Sequence, residues 1–146
     1  MILTEAQLPG NPLAKKTLLV LDDDSSIQFL LNALLAPHYA VVGLADGLEG
    51  MSWLYEGNIP DMILLDVNMP RLNGLEFIQA IKSSGFFRTI PVMVLSAERD
   101  STVEQTFLLQ GAADFLRKPF NPEHILQQVG HHISLSSQKT IHTVSK

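Results

Sequence analysis

Ile63-Leu64-Leu65-Asp66, followed by Val67-Asn68-Met69-Pro70-Arg71-Leu72-Asn73-Gly74, decides the architecture of this chain. The first four residues are an apolar run that stops on an acid, and the next eight are loop chemistry. A strand covered on both faces reads as a continuous apolar run rather than an alternating one. In open α/β sheets, ligands collect outside the carboxyl ends of the strands. Asp66 therefore stands where such a sheet does its chemistry. Two further runs end the same way: Leu18-Leu19-Val20-Leu21 leads into Asp22-Asp23-Asp24, and Val92-Met93-Val94-Leu95 into Ser96-Ala97-Glu98. A fourth segment, Phe115-Leu116-Arg117, delivers Lys118-Pro119. Three strand ends thus bring acids and a hydroxyl, and a fourth brings a lysine, to one rim.

Helical patterns fill the spaces between these runs. Ile27, Leu30, Leu31, Leu34 and Leu35 fall at i, i+3, i+4, i+7 and i+8, one face of an amphipathic helix. Asp24 or Ser25 can cap its start, and Pro37 ends it. Ala40 to Leu44 reads as a second strand, Asp46-Gly47 opens a second helix, and Gly57-Asn58 stops it. Gly74 to Ser84 makes a third helix, and Pro91 introduces the fourth strand. A fourth helix covers Ser101 to Gln110. A fifth strand runs from Asp114 to Arg117. Asn121-Pro122 starts a last helix with Ile125, Leu126, Val129 and Ile133 inward. Five βα units in succession require right-handed parallel crossovers and a doubly wound sheet. The expected organisation is a flexible arm over residues 1–16, one domain over 17–133, and a disordered tail or linker over 134–146.

With 146 residues, the chain has room for one domain with a real core. Net charge is −5, and no Lys/Arg run exceeds two residues. Direct nucleic-acid binding calls for a basic face, which this chain lacks; protein partners are expected instead. No apolar stretch approaches the roughly 18–20 residues of a membrane span. Met1 to Gln7 does not read as a signal peptide. There is no cysteine, so disulfides, thiol chemistry and thiolate metal sites are absent. A cytoplasmic protein is the expectation.

Clustered carboxylates disfavour each other's ionisation, and a divalent cation among them relieves the conflict. With oxygen ligands and no His or Cys at the strand ends, Mg²⁺ is the natural ion and Mn²⁺ the second choice. One carboxylate could then attack phosphorus while the others hold the metal. Lys118 would neutralise phosphoryl charge and Ser96 would hydrogen-bond one of its oxygens. These are the parts that phosphoryl transfer needs.

On Asp22-Asp23, Asp66 within Asp66-Val67-Asn68-Met69-Pro70, Gly74, Ser96-Ala97 and Lys118-Pro119, the chain resembles the CheY-like receiver domains of two-component response regulators. The resemblance spans Thr17 to Ile133. It implies an α/β, flavodoxin-like (βα)5 fold: a doubly wound five-stranded parallel sheet in a three-layer sandwich, with strand order 2-1-3-4-5. It implies that Asp66 is the phosphoacceptor, taking a phosphoryl group from a histidine kinase or histidine phosphotransferase, and that the chain is a signalling phosphoacceptor rather than an enzyme. Metal ligands would be Asp22, Asp23, Asp66 and the backbone carbonyl of Asn68. Ser96, Ala97 and Lys118 would bind the phosphoryl group, with Phe115 as the switch aromatic. Asn68 and Glu98 would tune acylphosphate lifetime, and the Lys118-Pro119 bond would be cis. The output would be a changed surface on the fourth helix, fifth strand and fifth helix for a downstream protein effector, a surface that also suits a homodimer.

Simpler and rival readings compete at several positions. The acid run could be no more than a helix N-terminus, where capping and the dipole favour acids; Asp24 is expected in that role. Ser96 alone could be a turn residue and Phe115 plain core. His131-His132 reads as a solvated helix end, because adjacent helical residues do not face each other. Phe86-Phe87 and Trp53 read as packing or partner surface. A phosphorylation-independent interaction module on the same fold is the main alternative. Asp22-Asp23-Asp24-Ser25-Ser26 also approximates the nucleophile element of haloacid-dehalogenase-like phosphatases, with Asp22 as nucleophile and Asp24 as the acid. That pattern leaves Asp66 and Met69-Pro70 unexplained.

Overall fold

The computed structural model describes residues 15–144 of the chain. In order it runs β1 (Thr17–Leu21), α1 (Ser25–Leu35), β2 (Ala40–Leu44), α2 (Gly47–Tyr55), β3 (Met62–Asp66), α3 (Gly74–Ser83), β4 (Val92–Ser96), α4 (Ser101–Leu109), β5 (Asp114–Arg117) and α5 (Pro122–Val144). The strands form one parallel sheet in the order β2-β1-β3-β4-β5.

The continuous apolar runs are explained by the two faces of this sheet. Successive strand side chains point to opposite sides, and here both sides are covered. Leu19, Leu21, Ile63, Leu65, Val92 and Val94 pack with Met51 and Leu54 of α2, Phe77, Ile78 and Ile81 of α3, and Phe107 of α4. Leu18, Val20, Met62, Leu64, Met93 and Leu95 pack on the other side with Leu31 and Leu35 of α1 and Ile125, Val129 and Ile133 of α5. The result is three layers, with all five residues of β3 and of β4 buried.

Helix starts follow from side-chain oxygens capping free backbone N–H groups. Asp24 accepts from Ser26 and Ile27 at the start of α1, Asp46 from Glu49 in α2, and Asp100 from Thr102 in α4. Asn73 and Glu76 form a reciprocal capping box at α3.

Two expectations are corrected. The last helix does not end near Ile133 but continues to Val144, because beyond Ser134 the sequence has polar helix-tolerant residues and no proline to stop it. Of the expected flexible arm, residues 1–14 lie outside the described residues. Lys15 and Lys16 are described, with Lys15 Nζ donating to Ala36 O at 3.1 Å. His132 is not at a solvated helix end. Its Nε2 lies 3.0 Å from Asp114 Oδ2, tying α5 to β5, and the His131 and His132 ring centroids are 5.3 Å apart. The two imidazole rings meet edge to face although the residues are adjacent on the helix. Phe87 is core at 7% exposure, whereas Phe86 is 83% exposed.

Candidate functional site

The chain reverses its direction of winding between β1 and β3, so their carboxyl ends face a crevice that no loop crosses. Asp22 follows β1 and Asp66 closes β3. Both are buried, at 1% and 6% exposure. Asp23 is exposed beside them. One carboxylate oxygen from each of Asp22, Asp23 and Asp66 lies within 4.8 Å of the others.

Lys118 reaches into this cluster from the end of β5. Its Nζ donates to Asp22 Oδ2 at 2.9 Å and to Asp66 Oδ1 at 3.1 Å. The peptide bond from Lys118 to Pro119 is cis. Asp22 Oδ1 accepts from Asp24 N–H at 2.9 Å, which fixes the orientation of this carboxylate.

Three carboxylates against one ammonium leave a local excess of negative charge. The consequence falls on Asp66. Burial and the neighbouring Asp22 push its carboxyl up to about 6, with Lys118 opposing and Asp23 adding to the rise. Burial pulls the Lys118 ammonium down, but its bonds and attraction to Asp22 and Asp66 outweigh that and hold it above its ordinary value.

The donor set is all oxygen, compact, and over-supplied with negative charge, which fits a hard divalent cation. The acids of the rival phosphatase pattern are not brought together. Asp24 is occupied as the α1 cap, with Oδ1 2.8 Å from Ser26 N–H, and stands outside the cluster.

Ser96 closes β4, fully buried. Its Oγ accepts from Glu98 N–H at 2.9 Å, and its carbonyl accepts from Lys118 N–H at 2.7 Å. Ala97 and Glu98 are exposed in the following loop. Asn68, also exposed, places Nδ2 3.4 Å from Glu98 Oε1. Phe115 is half-buried, its ring 6.3 Å from that of Phe107 and capped by the Arg117 guanidinium at 5.5 Å. Gly74 closes the acceptor loop. A Cβ there would meet Asp66 O at 2.5 Å, so only glycine lets α3 start this near.

Several supporting contacts escaped the sequence. Gln28 Nε2 lies within 2.9–3.1 Å of the carbonyls of Val20, Asp22 and Leu44, tying the ends of β1 and β2 together. Arg117 donates to Glu98 O at 2.8 Å and to Glu104 Oε1 at 3.0 Å. Asp46 pairs with Arg71 at 2.7 Å. In Asp46, burial raises the carboxyl, but Glu49 N–H and Arg71 together bring it below the usual value. None of these pairs has a short-range pattern. The one available signal was Gln28, a polar residue set among the apolar positions of α1.

The family model for the response regulator receiver domain matches residues 18–130. The chain belongs to this family. This receiver domain is 40% identical over 114 residues to the response regulator MprA of Mycobacterium sp. (strain KMS), covering 77% of the chain and 48% of that protein. It is 30% identical over 125 residues to hybrid signal transduction histidine kinase D of Dictyostelium discoideum, covering 86% of the chain and 8% of that protein. The receiver thus spans about half, or much less, of these curated relatives. The structure of the chemotaxis response regulator CheY4 of Vibrio cholerae superposes with a TM-score of 0.74 at 31% identity, covering 82% of this chain and 99% of that one. Receiver domains act in two-component phosphorelays as signalling phosphoacceptors and bind Mg²⁺ in an acidic pocket, and they interact with histidine kinases or phosphotransferases and with output effectors. No described helix of this chain is long and apolar enough to cross a membrane.

Proposed function

We propose that Asp66 is the phosphoacceptor of this receiver, and that phosphorylation there changes the α4-β5-α5 surface presented to a downstream protein. The observation that carries this reading is the geometry around Asp66: a buried carboxylate, 3.1 Å from the Lys118 ammonium, with oxygens of Asp22 and Asp23 within 4.8 Å. Asp22, Asp23, Asp66 and the Asn68 carbonyl would hold Mg²⁺, which when bound neutralises charge on the transferring phosphoryl group.

In the transfer, a carboxylate oxygen of Asp66 attacks the phosphorus of a phosphohistidine. The new O–P bond forms as the P–N bond breaks, and the electron pair stays on the imidazole nitrogen. Lys118 accompanies the moving negative charge. The acylphosphate carries close to two negative charges and strong acceptor oxygens. Ser96 Oγ leaves Glu98 N–H to donate to one of them, the β4–α4 loop follows, and Phe115 turns into the space released. Asn68 and Glu98 flank the acceptor with polar groups able to orient an attacking water, so the acylphosphate is short-lived; persistence over many hours would contradict this.

Incubation with Mg²⁺ and acetyl phosphate, read by intact mass, tests the assignment. One phosphate adduct that requires Mg²⁺ and disappears in Asp66→Asn is the expected result. No adduct, together with no binding of beryllofluoride, would leave a phosphorylation-independent interaction module. An adduct that survives in Asp66→Asn would move the nucleophile to Asp22 or Asp23.

A further inference from the structure

A second ion pair stands beside the acid cluster. Arg71, in the loop leaving Asp66, has φ 66° and is the one non-glycine residue with positive φ among the described residues. A side chain with a Cβ is disfavoured in this left-handed region, which glycine and asparagine occupy more readily. Such a conformation persists where the surroundings over-determine it. Here the side chain shows what does so. Arg71 Nε and Nη2 lie 2.8 and 2.7 Å from Asp46 Oδ2. Asp46 is 4% exposed, and its Oδ1 caps α2 by accepting from Glu49 N–H at 2.9 Å. At the next pair of positions Gly47 N–H donates to Leu72 O at 3.1 Å. A Cβ on Gly47 would lie 2.3 Å from that oxygen, so the approach needs glycine. The start of α2 thus grips two consecutive residues of the acceptor loop, one through charge and one through backbone.

The same loop carries Asn68, whose expected contribution to the metal is a backbone carbonyl. A side-chain ligand can adjust by changing rotamer, whereas a carbonyl goes where its loop places it. Mg²⁺ requires near-ideal octahedral geometry, so small loop displacements weaken binding. Neither Asp46 nor Arg71 is hydrogen-bonded or ion-paired to the three clustered acids; Asp46 bonds Glu49 N–H and Arg71 instead. We propose that the Arg71–Asp46 pair is a positioning device that holds the acceptor loop in a metal-competent conformation. This rests on reading Asp22, Asp23 and Asp66 as the Mg²⁺ site.

The test is the Mg²⁺ dissociation constant by calorimetry, with the unfolding midpoint measured alongside. Asp46→Asn keeps an N-cap oxygen and removes the charge. Arg71→Gly removes the side chain and relieves the backbone. The double variant leaves no buried carboxylate unpaired. Each single variant is expected to weaken Mg²⁺ binding about tenfold, the lower end of the scale seen when a residue supporting a metal ligand is lost. The double variant should weaken it no further, because one interaction is being removed twice. Arg71→Lys, which keeps charge without the planar fork, should fall between. Dissociation constants all within about twofold of the wild type would overturn the proposal even if the midpoints fall, because a purely structural pair moves only those. Absence of Mg²⁺ binding in the wild type would overturn the metal site itself, and the positioning role with it.

Discussion

Asp66 carries a cost that its neighbours only partly offset. Burial and Asp22 raise its carboxyl to about 6, against an ordinary value near 3.8. Folded Asp66 therefore holds its proton more tightly than unfolded Asp66. The stability this contributes is fully present below about pH 4 and is lost as pH rises through about 6. In metal-free buffer this term should lower stability by about 3 kcal/mol across that window, at ~1.4 kcal/mol per pKa unit. Asp66→Asn should flatten that part of the curve and be the more stable protein at pH 7. Urea titrations of both proteins from pH 4 to 7.5 check this, and parallel curves would refute it. At this scale the sequence was informative wherever a residue terminates an apolar run: Asp22, Asp66, Ser96 and Lys118 all do. It was silent on Arg71 and Arg117, marked Asp46 only as the start of a helix, and offered for Gln28 no more than a polar residue among apolar positions. Each of these acts through partners that folding brings close and that local sequence does not single out.

The elements were legible because their signals are periodic and locally bounded. Continuous apolar runs marked strands covered on both faces, and the two buried clusters divide each run by alternate residues. The end of α5 was not legible, since polar helical sequence beyond Ser134 has no pattern that separates a helix from a tail. Between elements, Arg117 links β5 to the β4–α4 loop through Glu98 O, to α4 through Glu104, and lies over the Phe115 ring. Ser96 Oγ is held by the N–H of that same Glu98. Freeing Ser96 for a phosphoryl group therefore works against the guanidinium. The Arg117–Glu104 pair is more than a third exposed and worth little by itself, so the carbonyl bond is the main restraint. Arg117→Ala should raise the rate of adduct formation from acetyl phosphate about fivefold, the change for a bias of ~1 kcal/mol between two loop states. The unfolding midpoint should barely move. An unchanged or slower rate would mean that the guanidinium does not hold the resting loop.

At the scale of the whole molecule, fold, proton and metal are coupled through the crevice between β1 and β3. A cation that binds only the native state stabilises it by RT ln(1 + [L]/Kd), about 1.4 kcal/mol at tenfold excess over Kd. For a chain of this length that corresponds to a rise in Tm of roughly 4 °C. Mg²⁺ needs the carboxylates ionised, and Asp66 holds its proton up to about pH 6 in the metal-free protein. The Mg²⁺-induced rise should therefore be largest at pH 7 and above, and should shrink towards zero as pH falls to about 5. The metal-free protein gains stability over the same descent, so the two Tm curves should converge, mainly through the rise of the metal-free one. Asp66→Asn should remove the Asp66 share of both trends and so flatten both curves over this window. Screening by salt cannot imitate this: the chain carries a net charge of −5, and non-specific relief of that charge would follow ionic strength and respond to Na⁺ as well as to Mg²⁺. A Tm rise that is matched by Na⁺ at equal ionic strength, or that persists at pH 5, would place the stabilisation on the surface charge and not in the crevice.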